Sequence, residues 1–191
     1  MTKKTTKALL LIAVTLLLIA VGAATRFYLA PSTSQNPAIG NPVAKSAPIA
    51  ADQRTALPEF QLADIEGKPR DITEWQGKVV VLNFWATWCP PCRRELPTFK
   101  ALQNEYGTQG VQFIGISLDR DELVRDYARI EELNYPQLVG PSKALELSQL
   151  LGNKIGALPF TVVVDREGRI AERIFGEWSH DEAITTFKRL L

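Results

Sequence analysis

The feature that most constrains this chain is the pattern of a buried strand that runs directly into two closely spaced cysteines. Residues 79–82 form an apolar, largely β-branched run, and from Glu95 to Tyr106 the apolar residues recur with helical spacing. Cys89 and Cys92, the only cysteines among the 191 residues, therefore fall where a strand is followed by a helix. The pattern predicts an α/β fold with Cys89 at the mouth of the helix and Cys92 one turn inside it.

The spacing of the two cysteines predicts a reversible disulfide. Two Cα atoms three residues apart in a first helical turn lie within disulfide range. The helix macrodipole and free N–H groups stabilise a thiolate at a helix N-terminus, so we expect a lowered pKa for Cys89, while Cys92 stays a thiol. Pro90 and Pro91 suit a first helical turn, but each removes an N–H donor. We therefore expect the pKa to be lowered only modestly, and the couple to be rather reducing.

Other uses of such a pair fit this chain less well. Zinc requires four nitrogen or sulfur ligands, and besides the cysteines the chain offers only His180, so no metal site is expected. A structural disulfide rarely closes so small a ring. A copper or assembly chaperone would need further soft ligands, and Met1 is the only methionine, although this alternative stays open.

The N-terminal part of the chain predicts a membrane anchor followed by a linker. An apolar run at residues 8–24 follows three lysines and is just long enough to span a bilayer, so 1–30 is predicted to be a signal-anchor with the lysines in the cytoplasm. A cleaved signal peptide is the alternative, because small residues at 22–24 could form a cleavage site. Residues 31–57, rich in Pro, Ala and Ser, predict a disordered linker.

Residues 58–191 are predicted to form one domain. An N-terminal β-hairpin is expected at residues 60–72, and the capping pattern at Ser179–Glu182 predicts the start of the last helix. The other predicted elements are strands at 79–84, 111–117, 160–165 and 170–175, and helices at 90–106, 122–133 and 143–151.

Charge is divided unevenly between these parts. Residues 1–57 hold six Lys or Arg and one Asp, whereas 58–191 hold 16 Lys or Arg and 20 Asp or Glu. The domain is therefore slightly acidic, and nothing in its charge pattern indicates nucleic-acid binding.

The cysteine motif resembles the active site of the thioredoxin superfamily. More narrowly, the chain resembles the membrane-anchored TlpA-like thiol-disulfide oxidoreductases of the ResA and CcmG type. The residues that carry the resemblance are Val81-Leu82-Asn83-Phe84-Trp85-Ala86-Thr87-Trp88-Cys89-Pro90-Pro91-Cys92 and Arg93-Arg94-Glu95-Leu96-Pro97. The resemblance implies a thioredoxin-like fold with an N-terminal hairpin and a central helical insertion near residues 120–151, preceded by one transmembrane helix.

The resemblance also implies roles for particular residues. Cys89 would be the nucleophile and Cys92 the resolving cysteine, and the two would form the redox disulfide. Pro159 would follow a cis peptide bond, which leaves the backbone of Leu158 free to pair with a substrate, while Trp88 would form an apolar wall beside the thiol.

An acid or base is needed as well, because Cys92 must lose its proton before it can resolve a mixed disulfide. Thioredoxins generally carry a buried Asp at the position of Asn83, which cannot accept a proton. Glu95 matches a Glu of TlpA-like members and lies three residues after Cys92, so a partly buried carboxylate there is our candidate. A solvated helix glutamate is the alternative.

The function expected from these residues is an extracytoplasmic, periplasm-facing thiol-disulfide oxidoreductase that needs no cofactor and reduces protein disulfides. The family resemblance suggests apocytochrome c cysteines as substrates and a membrane electron donor of the CcdA or DsbD type. A disulfide oxidase or isomerase is the main alternative. DsbA-like oxidases carry a histidine between the cysteines, where this chain has Pro90 and Pro91, so this alternative is less favoured.

Overall fold

The apolar run that leads to the cysteines forms a fully buried strand in the computed structural model, which describes residues 46–191. The strands in this part of the chain are β1 Ser46–Pro48, β2 Gln61–Asp64, β3 Pro69–Asp71, β4 Val79–Trp85, β5 Val111–Ser117, β6 Gln137–Val139, β7 Phe160–Val164 and β8 Ile170–Phe175. The α-helices are α1 Pro90–Tyr106, α2 Asp121–Ile130, α3 Pro141–Leu150 and α4 His180–Leu190.

The strands form one mixed sheet in the order β1-β8-β7-β4-β5-β6-β2-β3. Strand β4 lies inside it, parallel to β5 and antiparallel to β7. Apolar side chains cover both of its faces, which explains why its sequence is apolar at every position except Asn83 rather than alternating. Val81 and Trp85 belong to the cluster that contains α1 and α4 residues, whereas Leu82 and Phe84 belong to the cluster that contains α3 residues.

The predicted order of elements is confirmed over most of the domain. The hairpin β2–β3 is present, as are the strands on both sides of the α1 helix and the hairpin β7–β8. Glu182 accepts hydrogen bonds from the backbone N–H and the hydroxyl of Ser179, so the capping box predicted for the last helix is formed. Helix α2 ends at Ile130, three residues before the predicted end.

The central insertion is helix, strand and helix rather than helical throughout. Strand β6 pairs in parallel with β5 and antiparallel with β2, and so joins the N-terminal hairpin to the main sheet. Three residues between Pro136 and Gly140 are too short for an alternating pattern to be recognised. Gln137, in this strand, accepts a hydrogen bond from the indole N–H of Trp85, and a Cβ at Gly115 would clash with it.

The prediction of a disordered linker over 31–57 is wrong for its last part. Strand β1 pairs with the edge of β8, and the N–H of Leu57 donates to the carbonyl of Gly168. Arg54 also forms a 3.0 Å ion pair with Asp165. A segment rich in Pro and Ala is ordered here because an edge strand tolerates such residues where backbone pairing is available.

The remaining N-terminal predictions fall outside the described residues. These are the signal-anchor at 1–30, with its apolar run at 8–24, and the first part of the linker. Within residues 46–191, no helix has both the length and the apolar character that crossing a membrane requires.

Candidate active site

The two cysteines meet where β4 ends and α1 begins. Cys89 is the N-cap of α1, and its sulfur is bonded to that of Cys92 at 2.02 Å, with the two Cα atoms 5.3 Å apart. Only 4% of Cys89 and none of Cys92 is exposed to solvent. By contrast, 67% of the neighbouring Trp88 is exposed, so a large apolar side chain stands in water directly beside the disulfide.

The loop between β4 and Cys89 is hydrogen-bonded to the residues that follow the neighbouring strand β5. The backbone N–H of Thr87 donates to a carboxylate oxygen of Asp119 at 2.6 Å, and the N–H of Leu118 donates to the carbonyl of Trp85 at 3.0 Å. Sequence reasoning missed Asp119. Its position just after the predicted strand 111–117 could have indicated it. Polar residues that follow parallel strands lie at the same sheet edge, and β5 ends beside β4.

The first turn of α1 provides few donors to the Cys89 sulfur. Pro90 and Pro91 fill the first two helical positions and carry no N–H, so the first donor that reaches the sulfur is the N–H of Cys92, at 3.3 Å. In the reduced protein this donor and the helix dipole would face a Cys89 thiolate. A modest lowering of the Cys89 pKa stays a prediction for the reduced protein.

The two arginines after Cys92 interact with side chains other than the cysteines. Arg93 lies over the ring of Tyr127, with its guanidinium carbon 5.8 Å from the ring centroid. Arg94 forms an ion pair with Glu177, and this hydrogen bond raises the pKa of the Arg94 guanidinium. Both side chains are exposed, as expected for a solvated helix face.

Glu95 is buried, with only 3% of its surface exposed. One carboxylate oxygen accepts a hydrogen bond from the Asn83 amide at 2.8 Å, and the other accepts from the backbone N–H of Trp178 at 3.1 Å. The Asn83 amide also donates to the hydroxyl of Thr161 at 3.0 Å. The Glu95 carboxylate, one helical turn beyond Cys92, is therefore hydrogen-bonded to β4 and to the segment before α4. Asn83 connects it to β7.

Opposing effects act on this carboxylate. Burial disfavours its charged form, whereas the two donated hydrogen bonds favour it. Its charge is felt nearby, since burial raises the pKa of Tyr135 and the Glu95 carboxylate raises it further. Asn83 itself cannot take a proton, and the role of Glu95 as the proton acceptor for Cys92 stays a prediction.

The Leu158–Pro159 peptide bond is cis and leads into β7. Pro159 is buried, and Leu158 packs against the apolar cluster that contains both cysteines. Within residues 46–191, neither the N–H nor the carbonyl of Leu158 has a backbone hydrogen-bond partner. Leu158 therefore presents two unused backbone groups beside the disulfide.

His180 is not part of this arrangement. It lies exposed at the start of α4, with its ring nitrogen Nδ1 3.2 Å from the carboxylate of Asp181. In the part of the chain that the structure describes, no group of three or more His, Cys, Asp or Glu side chains is placed to hold a metal ion.

The sequence matches a protein family and several curated relatives. The pattern of the Redoxin family matches residues 51–189. A thiol-disulfide oxidoreductase ResA of Bacillus cereus is 32% identical over 127 residues, which cover 65% of this chain and 70% of that relative. The ResA of Oceanobacillus iheyensis is 37% identical over 130 residues, covering 66% of each chain.

Solved structures match the fold as well. A thiol:disulfide interchange protein of the thioredoxin family from Chlorobium tepidum TLS gives a TM-score of 0.66 at 27% identity, covering 74% of this chain and 99% of that one. A DsbF homologue from Corynebacterium diphtheriae gives a TM-score of 0.71 at 23% identity, covering 79% and 96% respectively. These matches confirm the predicted thioredoxin-like α/β fold.

Proposed function

This chain belongs to the Redoxin family as an oxidoreductase of the thioredoxin type, and on that basis we propose that it reduces protein disulfides outside the cytoplasm. The observation that carries the proposal is the buried Cys89–Cys92 disulfide at the start of α1, with the carboxylate of Glu95 one turn away. A redox pair with a proton acceptor beside it supplies both parts of disulfide exchange.

The proposed reaction begins from the reduced form of the pair. The Cys89 thiolate attacks one sulfur of a substrate disulfide, that disulfide bond breaks, and the other substrate sulfur leaves as a thiolate that takes up a proton. Glu95 accepts the proton of Cys92, whose thiolate then attacks the Cys89 sulfur of the mixed disulfide. The second substrate sulfur leaves as a thiolate and takes up the proton that Glu95 had accepted, and two electrons have passed from the pair to the substrate.

The substrate is proposed to approach as an extended segment along Leu158. Its backbone would pair with the unused N–H and carbonyl of Leu158, in the manner of strand addition. Trp88, beside Cys89, provides an exposed apolar surface for the same segment. These contacts would favour polypeptide disulfides over small ones.

The cellular setting is also part of the proposal. Residues 1–30 would anchor the chain in the cytoplasmic membrane, residues 31–45 would tether it, and the domain would face the periplasm or extracytoplasmic space. An oxidising compartment requires a dedicated supply of electrons, so the pair would be reduced again by a dithiol membrane protein of the CcdA or DsbD type. The proposed substrates are apocytochrome c cysteines, as the family resemblance of the cysteine motif suggests.

The direction of exchange predicts a measurable reduction potential. Because Pro90 and Pro91 limit the donors that stabilise a Cys89 thiolate, we expect a potential nearer the value of about −270 mV for thioredoxin than that of about −120 mV for DsbA. Equilibration of the full chain with dithiothreitol buffers, followed by alkylation of free thiols, measures it. A value near that of DsbA would favour an oxidase instead.

Replacing Cys92 with serine in the full chain is expected to trap the physiological substrate. Cys89 can still attack a disulfide, but the mixed disulfide has no internal thiol to resolve it, so it should accumulate. Non-reducing gels and mass spectrometry of the trapped partner measure this outcome. The matched control is the variant with Cys89 also replaced by serine, which should trap nothing.

Trapping that persists in this double variant would contradict the nucleophilic role of Cys89. Absence of any trapped protein from cells that express the Cys92→Ser chain would contradict the proposed function. Capture of apocytochrome c in particular would identify the substrate.

A further inference from the structure

The loop that joins α3 to β7 is held by one buried asparagine. Asn153 has no exposed surface, and its amide nitrogen donates to the carbonyl of Ala157 and to the hydroxyl of Ser148, both at 2.8 Å. Its amide oxygen accepts from the N–H of Ala157 at 3.0 Å. Both backbone groups of the residue before Leu158 are therefore fixed by a single side chain.

The same asparagine begins a tight turn that exposes an apolar residue. The N–H of Gly156 donates to the carbonyl of Asn153 at 3.1 Å, and Gly156 has the left-handed φ of +66° that suits glycine. Ile155 lies at the tip of this turn with 86% of its surface exposed. Within residues 46–191 it is the most exposed of the large apolar side chains, ahead of Ile130 at 69%.

The position of Ile155 relates it to the redox site. It precedes Leu158 by three residues, so their Cα atoms are at most about 11 Å apart. An extended segment rises about 3.3 Å per residue, so three residues of a segment paired with Leu158 span up to about 10 Å. Ile155 therefore lies within the range that the first three side chains beyond the paired residue can cover.

We propose that Asn153 is a positioning residue for substrate binding, and that Ile155 selects substrates with an apolar side chain near the reactive cysteine. This inference rests on the proposed function, since it assumes that a substrate segment pairs with Leu158. Because Leu158 packs against the cluster that contains both cysteines, the substrate class is an extended polypeptide disulfide with an apolar residue within about three positions of its cysteine. Asn153 acts through the backbone of Ala157, which sets the position of both Ile155 and Leu158.

The test compares two nine-residue peptides, each with one central cysteine in a mixed disulfide with glutathione. One carries leucine at the third position on both sides of the cysteine, and the other carries serine there. The reduced full chain is mixed with excess peptide, and the rate of exchange is followed as peptide concentration rises. We expect the leucine peptide to react about tenfold faster at low concentration, because contact with Ile155 buries part of its side chain.

Two substitutions test the roles of Ile155 and Asn153 separately. Ile155→Ser should reduce the preference for the leucine peptide to less than about threefold. Leu150→Ser is the matched control, since Leu150 is 66% exposed at the end of α3, outside the turn, and should keep the full preference. Asn153→Ala should raise the half-saturating concentration of both peptides about tenfold while the limiting rate changes less than twofold.

Hydroxyethyl disulfide, which is too small to contact the loop, serves as the second probe. Its rate of exchange should change less than twofold in either variant. If Asn153→Ala fails to fold, Asn153→Ser shortens the side chain without adding a charge, loses the contacts with the Ala157 backbone, and should raise the half-saturating concentration to a similar extent.

The inference is overturned by an unchanged preference in Ile155→Ser, or by an unchanged half-saturating concentration in both Asn153 variants. A limiting rate that falls as much as the half-saturating concentration rises would assign Asn153 a general structural role instead. Failure of the unaltered chain to react with hydroxyethyl disulfide would contradict the proposed function itself and remove this inference with it.

Discussion

Replacing Glu95 with glutamine is expected to slow resolution of the mixed disulfide about a hundredfold at pH 7, the effect typical of a lost general base. Glutamine has nearly the same size as glutamate, and its carbonyl oxygen can still accept the Asn83 hydrogen bond, but it cannot take the proton of Cys92. The attack would then depend on the small fraction of Cys92 that ionises unaided.

The pH dependence of this loss distinguishes proton transfer from a structural defect. Below the ordinary thiol pKa of about 8.5, the thiolate fraction rises about tenfold per pH unit. The difference between the variant and the unaltered chain should therefore shrink to a few-fold near pH 10. A stopped-flow measurement with an aromatic disulfide, which releases a coloured thiol at each step, follows the resolution step directly.

Glu105→Gln is the matched control, because Glu105 lies on the same helix but is exposed to solvent. It should leave the rate unchanged within about twofold, as is usual for exposed side chains away from a site. A Glu95→Gln variant that is equally slow at pH 7 and pH 10 would show that the carboxylate holds the site together rather than moving a proton.

Much of the fold could be predicted from local sequence patterns, because the strands and helices they indicate are present in the structure. The apolar run 79–82 predicted a buried strand, and the helical spacing of apolar residues after Glu95 predicted α1. Strand β6 could not be predicted, since three residues carry no periodicity. Strand β1 could not be predicted either, because a segment rich in Pro and Ala looks like a linker until the edge of β8 is known to pair with it.

The site was less predictable than the fold because its contacts join distant parts of the chain. The sequence indicates that Asn83 cannot accept a proton, but not that its amide holds Glu95. That contact requires α1 to pack on one particular face of β4. Asn153 shows the same limit, since no motif distinguishes a buried asparagine that fixes a loop from one in water.

The contact between Asn83 and Glu95 explains why this chain departs from the thioredoxin pattern. Thioredoxins generally carry an aspartate where Asn83 lies, whereas here the acid is on α1 and reaches the same buried place from the helix. Two carboxylates at 2.8 Å in a buried site could not both be charged. An amide at position 83 is therefore the partner that a carboxylate at position 95 requires, because it donates a hydrogen bond and carries no charge.

Asn83→Asp is accordingly expected to destabilise the domain strongly, and more so at high pH. The two carboxylates would share one proton, which raises the pKa of the pair above the ordinary carboxyl value of about 4. The folded state then binds a proton that the unfolded state has released, so stability falls as pH rises through this window. We expect a loss of about 3 kcal/mol at pH 8, the size typical of an unpaired buried charge, and of about 1 kcal/mol at pH 5.

Urea unfolding at both pH values, with the Cys89–Cys92 disulfide kept oxidised, measures this difference. Asn83→Leu is the control, since it removes the amide without adding a charge, and its loss of stability should be much less dependent on pH. If Asn83→Asp loses the same stability at pH 5 and pH 8, residue 83 does not face a charged Glu95 in the folded protein. Electrostatics would then not explain why this chain has an amide at position 83 of β4 and a carboxylate at position 95 of α1. The assignment of Glu95 as the proton acceptor for Cys92 would also lose its structural support.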